Sequence, residues 1–371
     1  MIAQANRAKE FRINATVKCR NRVLAQLWEK PRDLVIAMGA QAAMSVTGNT
    51  DFKITQQRGV VINVTDPVHN REVRVYPILS PGYLLRGGNL PVFRTDLHEA
   101  VKLARTGISR QDLWEPPQIE ILETAAEVWQ LAQELADEAD AKGVPHNTVT
   151  GDFETSGFNV FKDRILIFGL YQRSCDIAWM IDPYSVDNDP DYKRAVNHLM
   201  VNPQIHWNWQ NGKFDIRFAW MNGWVPYGTD IIHEDTLLLS YTLNETAKQH
   251  DLDEQAKNRL GAPEHKQEIK RWVPNKKASY ANIPKPFLID YLGKDLKKTD
   301  MIWMDTRQQV EADPDCELAY TQTLIPVSSV LCEIELYGIG VDFEYVRMNH
   351  FGATQADVDA GRIKQEELDH E

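Results

Sequence analysis

Four carboxylates and one phenol stand in three short motifs. They are Asp152-Phe153-Glu154, then Asn211-Gly212-Lys213-Phe214-Asp215, then Tyr291 four residues before Asp295, with Thr299 four further on. In an extended strand, residues two apart share a face, so Asp152 and Glu154 project together while Phe153 points into the core. Two carboxylates held side by side repel each other unless cations neutralise them. A set of oxygen ligands selects hard ions such as Mg²⁺ or Mn²⁺. Asn211-Gly212 is a turn signal and Lys213–Met221 is amphipathic, which puts Asp215 in the first turn of a helix, where the dipole favours an anion. The aromatic stretch ahead of it, His206 to Asn211, buries that turn, and a buried Asp needs a partner, for which a metal is one option. Tyr291 and Asp295 are i and i+4 on a helix that begins near Pro286, so they share one face.

Taken singly, each motif reads more simply: a solvated strand edge, a helix-start Asp, a surface Tyr beside an Asp. Taken together they describe a site for two divalent ions and a phosphodiester. One ion generates the attacking hydroxide and the other stabilises the leaving 3′ oxygen, while the phenol orients the water. That chemistry removes nucleotides from a 3′ end.

The elements that must position these groups are legible in outline. Thr148–Thr155, Arg164–Gln172 and Asp176–Asp182 read as a meander of strands. Helices are expected around Tyr192–Leu199, Phe214–Met221, Thr236–Leu243, Leu252–Leu260 and Pro286–Met301. Strands followed by helices with short strands between predict an α/β fold with a mixed sheet flanked by helices. Upstream, Pro117–Lys142 reads as one long helix ending at Gly143 and Pro145, a hinge between domains. Residues 1–110 alternate, with strands at Leu34–Met38, Val60–Val64 and Glu72–Tyr76, a helix at Ala40–Val46 and a loop from Pro77 to Gly88.

Composition narrows the class. A chain of 371 residues with ten Trp suits two packed domains, or two and a fragment. No apolar run spans a bilayer and the N-terminus lacks a secretory h-region, so no membrane role is expected. Cys19, Cys175, Cys316 and Cys332 are scattered without a C-x-x-C pair, which points to a reducing cytoplasm rather than a zinc or disulfide framework. A net charge of −12 argues against coating duplex nucleic acid, though not against gripping one strand end in a local groove.

The order D-x-E, N-G-K-F-D, then Asp235-Thr236, then Y-x-x-x-D-x-x-x-T resembles the proofreading exonuclease domain of DNA polymerase I and its phage relatives. That is the tyrosine subtype of the DEDD exonucleases, with a ribonuclease-H-like fold, over residues 146–327. The resemblance implies that Asp152 bridges both metals, Glu154 and Asp295 complete the first site, Asp215 serves the second, and Tyr291 positions the nucleophile. Asn211 and Phe214 would lie near the primer end. Asp235 is a second-tier candidate, and His250-Asp251-Leu252 is expected to be structural. A competing alignment places Glu317 with Thr321 and Leu324 in the third motif, but Asp313 then stands where the Tyr belongs. In the run Lys266–Lys285, Lys270, Arg271, Lys276 and Lys277 are expected on phosphates and Trp272 and Tyr280 on bases, with a solvated loop as the alternative.

Both flanks carry partial resemblances. Residues 328–371 include Glu335, Gly338, Ile339, Val341 and Asp342, similar to the opening of the polymerase thumb, or else a helical cap; with the sequence ending at Glu371, no nucleotidyl transfer is expected. Residues 11–105 resemble the C-terminal half of a family-four uracil-DNA glycosylase, from Asn14–Arg20 to the loop Ser80–Arg86. The family's loop His is Ser80 here and only Cys19 matches a cluster ligand, so no iron–sulfur cluster is expected. The expected organisation is thus a glycosylase-like remnant at 1–110, a helical linker at 111–145, the exonuclease at 146–327 and a truncated thumb at 328–371. The expected activity is metal-dependent 3′→5′ hydrolysis of single-stranded DNA or DNA 3′ ends, in the cytoplasm of a bacterium or phage-infected cell. The alternatives are a non-catalytic DNA-binding accessory that docks a separately encoded polymerase and, less favoured, a uracil-DNA glycosylase.

Overall fold

The computed structural model describes residues 2–30, 32–66, 70–109, 111–142, 148–247, 250–262, 266–274, 278–343, 345–346, 354 and 359. They divide into two compact units, residues 1–329 and 330–371.

The first unit opens with a long helix, α1 (Ile2–Glu29), which the sequence reading did not anticipate. Strand β1 (Leu34–Met38) and helix α2 (Ala40–Thr47) follow, then β2 (Ile62–Asp66), β3 (Arg71–Ile78) and helix α3 (Leu90–Thr106). The sheet order is β1-β3-β2, with β1 parallel and β2 antiparallel to β3. Leu27 of α1 and Ala43 and Val46 of α2 pack against Val64, Val73 and Val75. Ala100 and Leu103 of α3 pack against Tyr76 and Ile78. The expected loop from Pro77 to Gly88 is shorter than predicted. The strand runs through Ile78, and Ser80 caps a single turn at Pro81–Leu84 by accepting the Tyr83 N–H.

The expected helix over Pro117–Lys142 is two elements, strand β4 (Gln118–Leu122) and helix α4 (Ala125–Lys142). Ile119 and Ile121 alternate with Glu120, a period of two that the Ala/Glu-rich segment behind it obscures. The break is a capping box. Glu127 Oε2 accepts the Glu123 and Thr124 N–H groups, and the Glu127 N–H donates to Thr124 Oγ1. The expected linker is therefore part of the second sheet: β4 pairs in parallel with β7 (Ile177–Ile181), and Tyr192 donates to the Leu122 carbonyl at 2.6 Å.

That sheet has six strands in the order β4-β7-β6-β5-β8-β9, with β5 (Thr148–Thr155), β6 (Ile165–Gln172), β7 (Ile177–Ile181), β8 (His206–Trp209) and β9 (Glu234–Asp235). Strand β6 is antiparallel to β5 and β7, while β5, β8 and β9 run parallel. A meander continued by two parallel strands is the mixed sheet flanked by helices expected from the sequence, in the ribonuclease-H-like order that the family resemblance implied. Helices α5 (Pro190–Val201), α6 (Gly212–Met221), α7 (Thr236–Leu243), α8 (Leu252–Gln255) and α9 (Lys285–Glu311) flank it. Helix α9 runs ten residues past its expected end at Met301. Phe153, Phe168, Trp207 and Trp209 pack ring against ring through the sheet's core, with Phe153 and Phe168 centroids 4.5 Å apart and Trp224 meeting both Phe rings edge-on.

Gly169 decides how closely α9 approaches. It pairs across the ladder with Asp152, and a Cβ there would come within 2.6 Å of Leu296 and 2.8 Å of Leu292. The missing side chain lets the helix bearing Tyr291 and Asp295 lie on the strand opposite the first motif. Helix α10 (Ile325–Tyr337) carries the chain across the unit boundary, and Gly338 follows it at φ 68°.

Candidate active site

Strand β5 ends in the cleft. Asp152 is partly buried, Phe153 and Glu154 are buried, and the ladder to β6 shifts register between Glu154 and Thr155. Such an irregularity re-aims side chains at a strand end. Asp215 sits in the first turn of α6, 2 % exposed, and its Oδ1 accepts the Phe153 N–H at 3.0 Å. Tyr291 and Asp295 lie on one buried face of α9. Asp152, Glu154 and Tyr291 line one open cleft of about 940 Å³, together with Phe214, Lys270 and Tyr280.

The charges report on one another. Burial, then the Asp295 carboxylate, pushes Asp152 up to about 7. Burial, then Asp152, raises Asp215 well above the usual carboxylate range. Burial, then Asp295 and Glu154, holds the Tyr291 phenol protonated far above its ordinary value. All donors here are oxygens, and carboxyls raised by burial and by a neighbouring carboxylate mark a site short of positive charge; both properties fit a hard divalent cation. Yet among the described residues no three His, Cys, Asp or Glu side chains converge on a point that could hold one. The expected convergence of Asp152, Glu154, Asp215 and Asp295 is thus incomplete in this arrangement. Asp215 is turned onto the Phe153 amide, and Asp295 onto Lys298 Nζ at 3.1 Å.

Asn211 and Phe214 are placed by a residue outside the cleft lining. Asn211 takes a left-handed conformation at φ 62°, and Gly212 beneath it would bring a Cβ to 2.7 Å from Trp209 Cβ. Asp235 clamps this turn, accepting the Asn211 and Gly212 N–H groups at 3.0 and 2.9 Å while capping α7. Burial pushes Asp235 up to about 6 against the pull of those amides. The second-tier candidate is therefore a structural clamp. His250 and Asp251 are also structural: the His250 carbonyl accepts from Gln210 and Gln255, and Asp251 caps α8. Glu317, the rival for the third motif, is bound bidentately by Arg307 at 2.5 and 2.9 Å.

The basic run divides. Lys270 lines the cleft, whereas the Arg271 guanidinium covers the Trp272 ring at 3.7 Å and faces Phe287 at 4.9 Å. Trp272 packs against the core beside Phe287, and Lys276 and Lys277 lie outside the described residues. Tyr280, expected on bases, lines the cleft with Tyr291, and burial, then Glu154, pushes its phenol up to about 12. Ser279 closes that wall by donating to the Ser156 carbonyl at 2.6 Å. Sequence reasoning missed Phe158, 78 % exposed on the cleft with its ring 6.3 Å from Phe214. It also missed Lys298, although the spacing of three from Asp295 on one helix was available as a signal.

Comparison with known proteins bears on the same segment. Residues 119–283 match a family model described as 3′-5′ exonuclease. The match includes Asp152, Glu154 and Asp215 and stops before Tyr291 and Asp295. DNA polymerase I of Pseudomonas aeruginosa is 28 % identical over 165 residues, 44 % of this chain and 18 % of the relative. DNA polymerase I of Chloroflexus aurantiacus is 29 % identical over 168 residues, 44 % of this chain and 17 % of the relative. The matched segment thus spans less than a fifth of these relatives. Among solved structures, the catalytic core of RRP6 from Trypanosoma brucei aligns with 83 % of this chain and 78 % of its own, at 12 % identity and a TM-score of 0.46. No helix of the described residues is long and apolar enough to cross a membrane.

Proposed function

We propose that the six-stranded module is a 3′→5′ exonuclease that hydrolyses phosphodiesters at DNA 3′ ends, with Mg²⁺ or Mn²⁺ held by Asp152, Glu154, Asp215 and Asp295. The observation that carries this reading is the meeting of β5, α6 and α9 around one acidic cleft, with β5 and α6 inside the segment that matches the exonuclease family model. Bound divalent ions supply an activated hydroxide and stabilise the leaving oxygen. The chain's own residues do the rest. The Tyr291 phenol, kept protonated by its surroundings, donates a hydrogen bond to orient water. Phe158 and Phe214 present ring faces on which terminal bases stack, and Lys270 meets a phosphate. A DNA polymerase is the partner class we propose, with replication or repair as the setting, because the matched relatives are DNA polymerases I.

The test is release of mononucleotides from a 3′-labelled single strand in Mg²⁺ or Mn²⁺. The double variant Asp152→Ala/Glu154→Ala is expected to lose at least about 10³-fold in rate. Equal rates for variant and wild type sink the proposal. The incomplete convergence of carboxylates favours a second reading, a non-catalytic module that binds single strands. Metal-independent DNA binding with no hydrolysis by the wild-type chain decides for it.

A further inference from the structure

Lys298 has no exposed surface, an unusual place for an ammonium. Its Nζ lies 3.1 Å from Asp295 Oδ1 and 3.7 Å from Asp253 Oδ1. One partner precedes it by three residues on α9; the other comes from α8, across the packing between the two helices. A buried ammonium holds its charge only through such carboxylates, and losing one shifts its reliance to the other. Asp295 is also the carboxylate whose charge, after burial, raises Asp152, so Lys298 touches a group that acts on the first motif.

We propose that Lys298 is a resident counter-ion of the acidic cleft: its ammonium neutralises Asp295 while divalent cations are absent and shifts onto Asp253 when a cation takes Asp295. The inference rests on the metal-binding reading of Asp295 given above. It makes Lys298 a positioning residue with two opposed effects. It stabilises the cation-free fold, and it competes with the cation for one ligand, which lowers affinity.

The test uses the full chain without nucleic acid, titrated with Mn²⁺ while free ion is counted by electron paramagnetic resonance, alongside thermal melts in EDTA. Lys298→Met is expected to raise Mn²⁺ affinity about tenfold and to lower the EDTA melting temperature by several degrees. Lys297, which pairs with Asp176 at 2.8 Å, serves as the charge control. Lys297→Met is expected to leave Mn²⁺ affinity within about twofold. A folded Lys298→Met protein with unchanged or weaker Mn²⁺ binding overturns the proposal. Should that variant fail to fold, Asp253→Asn reads the exchange from the other side. With its second carboxylate neutralised, Lys298 leans wholly on Asp295 and Mn²⁺ affinity falls about threefold. An unchanged or higher affinity in Asp253→Asn overturns the proposal as well. Wild-type protein that binds no Mn²⁺ at millimolar concentration removes the metal-binding reading and this inference with it. Wild-type binding matched by Lys298→Met removes this inference alone.

Discussion

Buried carboxylates gather in two regions of the first unit, and the two manage their charge differently. At the junction between the N-terminal sheet and the six-stranded module, Arg58 is 3 % exposed and bonds Asp96 at 2.8 Å and Glu254 at 2.9 Å, as well as Asn258. A guanidinium with a fork of donors serves two carboxylates and an amide, so that region is close to balanced. In the cleft, the ammonium of Lys298 meets Asp295, while burial and then Asp295 raise Asp152, and burial and then Asp152 raise Asp215. One region spends its buried charge on joining two modules. The other keeps a surplus of negative charge, a state that a cation or a phosphate-bound metal relieves.

The comparison breaks most sharply on paired substitutions. Asp215→Asn keeps the oxygen that accepts the Phe153 amide but removes a repelling charge. Exonuclease rate is expected to fall about 10³-fold, while the melting temperature in EDTA rises by a few degrees. Unchanged activity, measured by mononucleotide release, would remove Asp215 from the site. Arg58→Met acts in the opposite sense. It strands Asp96 and Glu254, and urea unfolding is expected to show a loss of about 3 kcal/mol. A stability change below about 1 kcal/mol would show the junction to be dispensable.

A subtler effect concerns pH. Burial pushes Asp96 up to about 6 from 3.8, despite the opposing pull of Arg58 and Lys257. The native state then binds the proton more tightly than the unfolded chain, so stability falls as pH rises from about 4 to about 6 and is level above. Asp96→Asn is expected to flatten that part of the slope in melts run across the window, leaving the share owed to Asp235 and Asp152. A slope identical to wild type would show that Asp96 does not titrate there. The smallest expected effect lies on the basic run. Because Arg271 already covers Trp272 and Phe287, Arg271→Ala is expected to weaken single-strand binding only about threefold and to reduce the salt slope by about one. Fluorescence titrations at several salt concentrations measure both quantities.

Much of the six-stranded module is legible in the sequence alone. The strand meander read at 148–182 became β5, β6 and β7, and Thr236–Leu243 became α7 with the boundaries read from the chain. The type and order of Asp152, Glu154, Asp215, Tyr291 and Asp295 were enough to name a chemistry. Local patterns failed where composition and period disagreed. Gln118–Leu122 sits beside an Ala/Glu-rich helix and was taken into it, although Thr124 and Glu127 mark the break. The long helix α1 and the ten extra residues of α9 went unread for a related reason: their packing partners lie far away in the chain.

The sequence by itself determined which groups are available and, through the two-residue and four-residue spacings, which of them share a face. Those are local consequences of backbone geometry. What the tertiary structure alone decided is which charges meet. Gly169 lets α9 close on Asp152, Asp235 holds the Asn211 turn from 24 residues away, and α8 brings Asp253 to a lysine buried beside Asp295. Charge pairing depends on distance and burial, and neither is carried by a one-dimensional pattern.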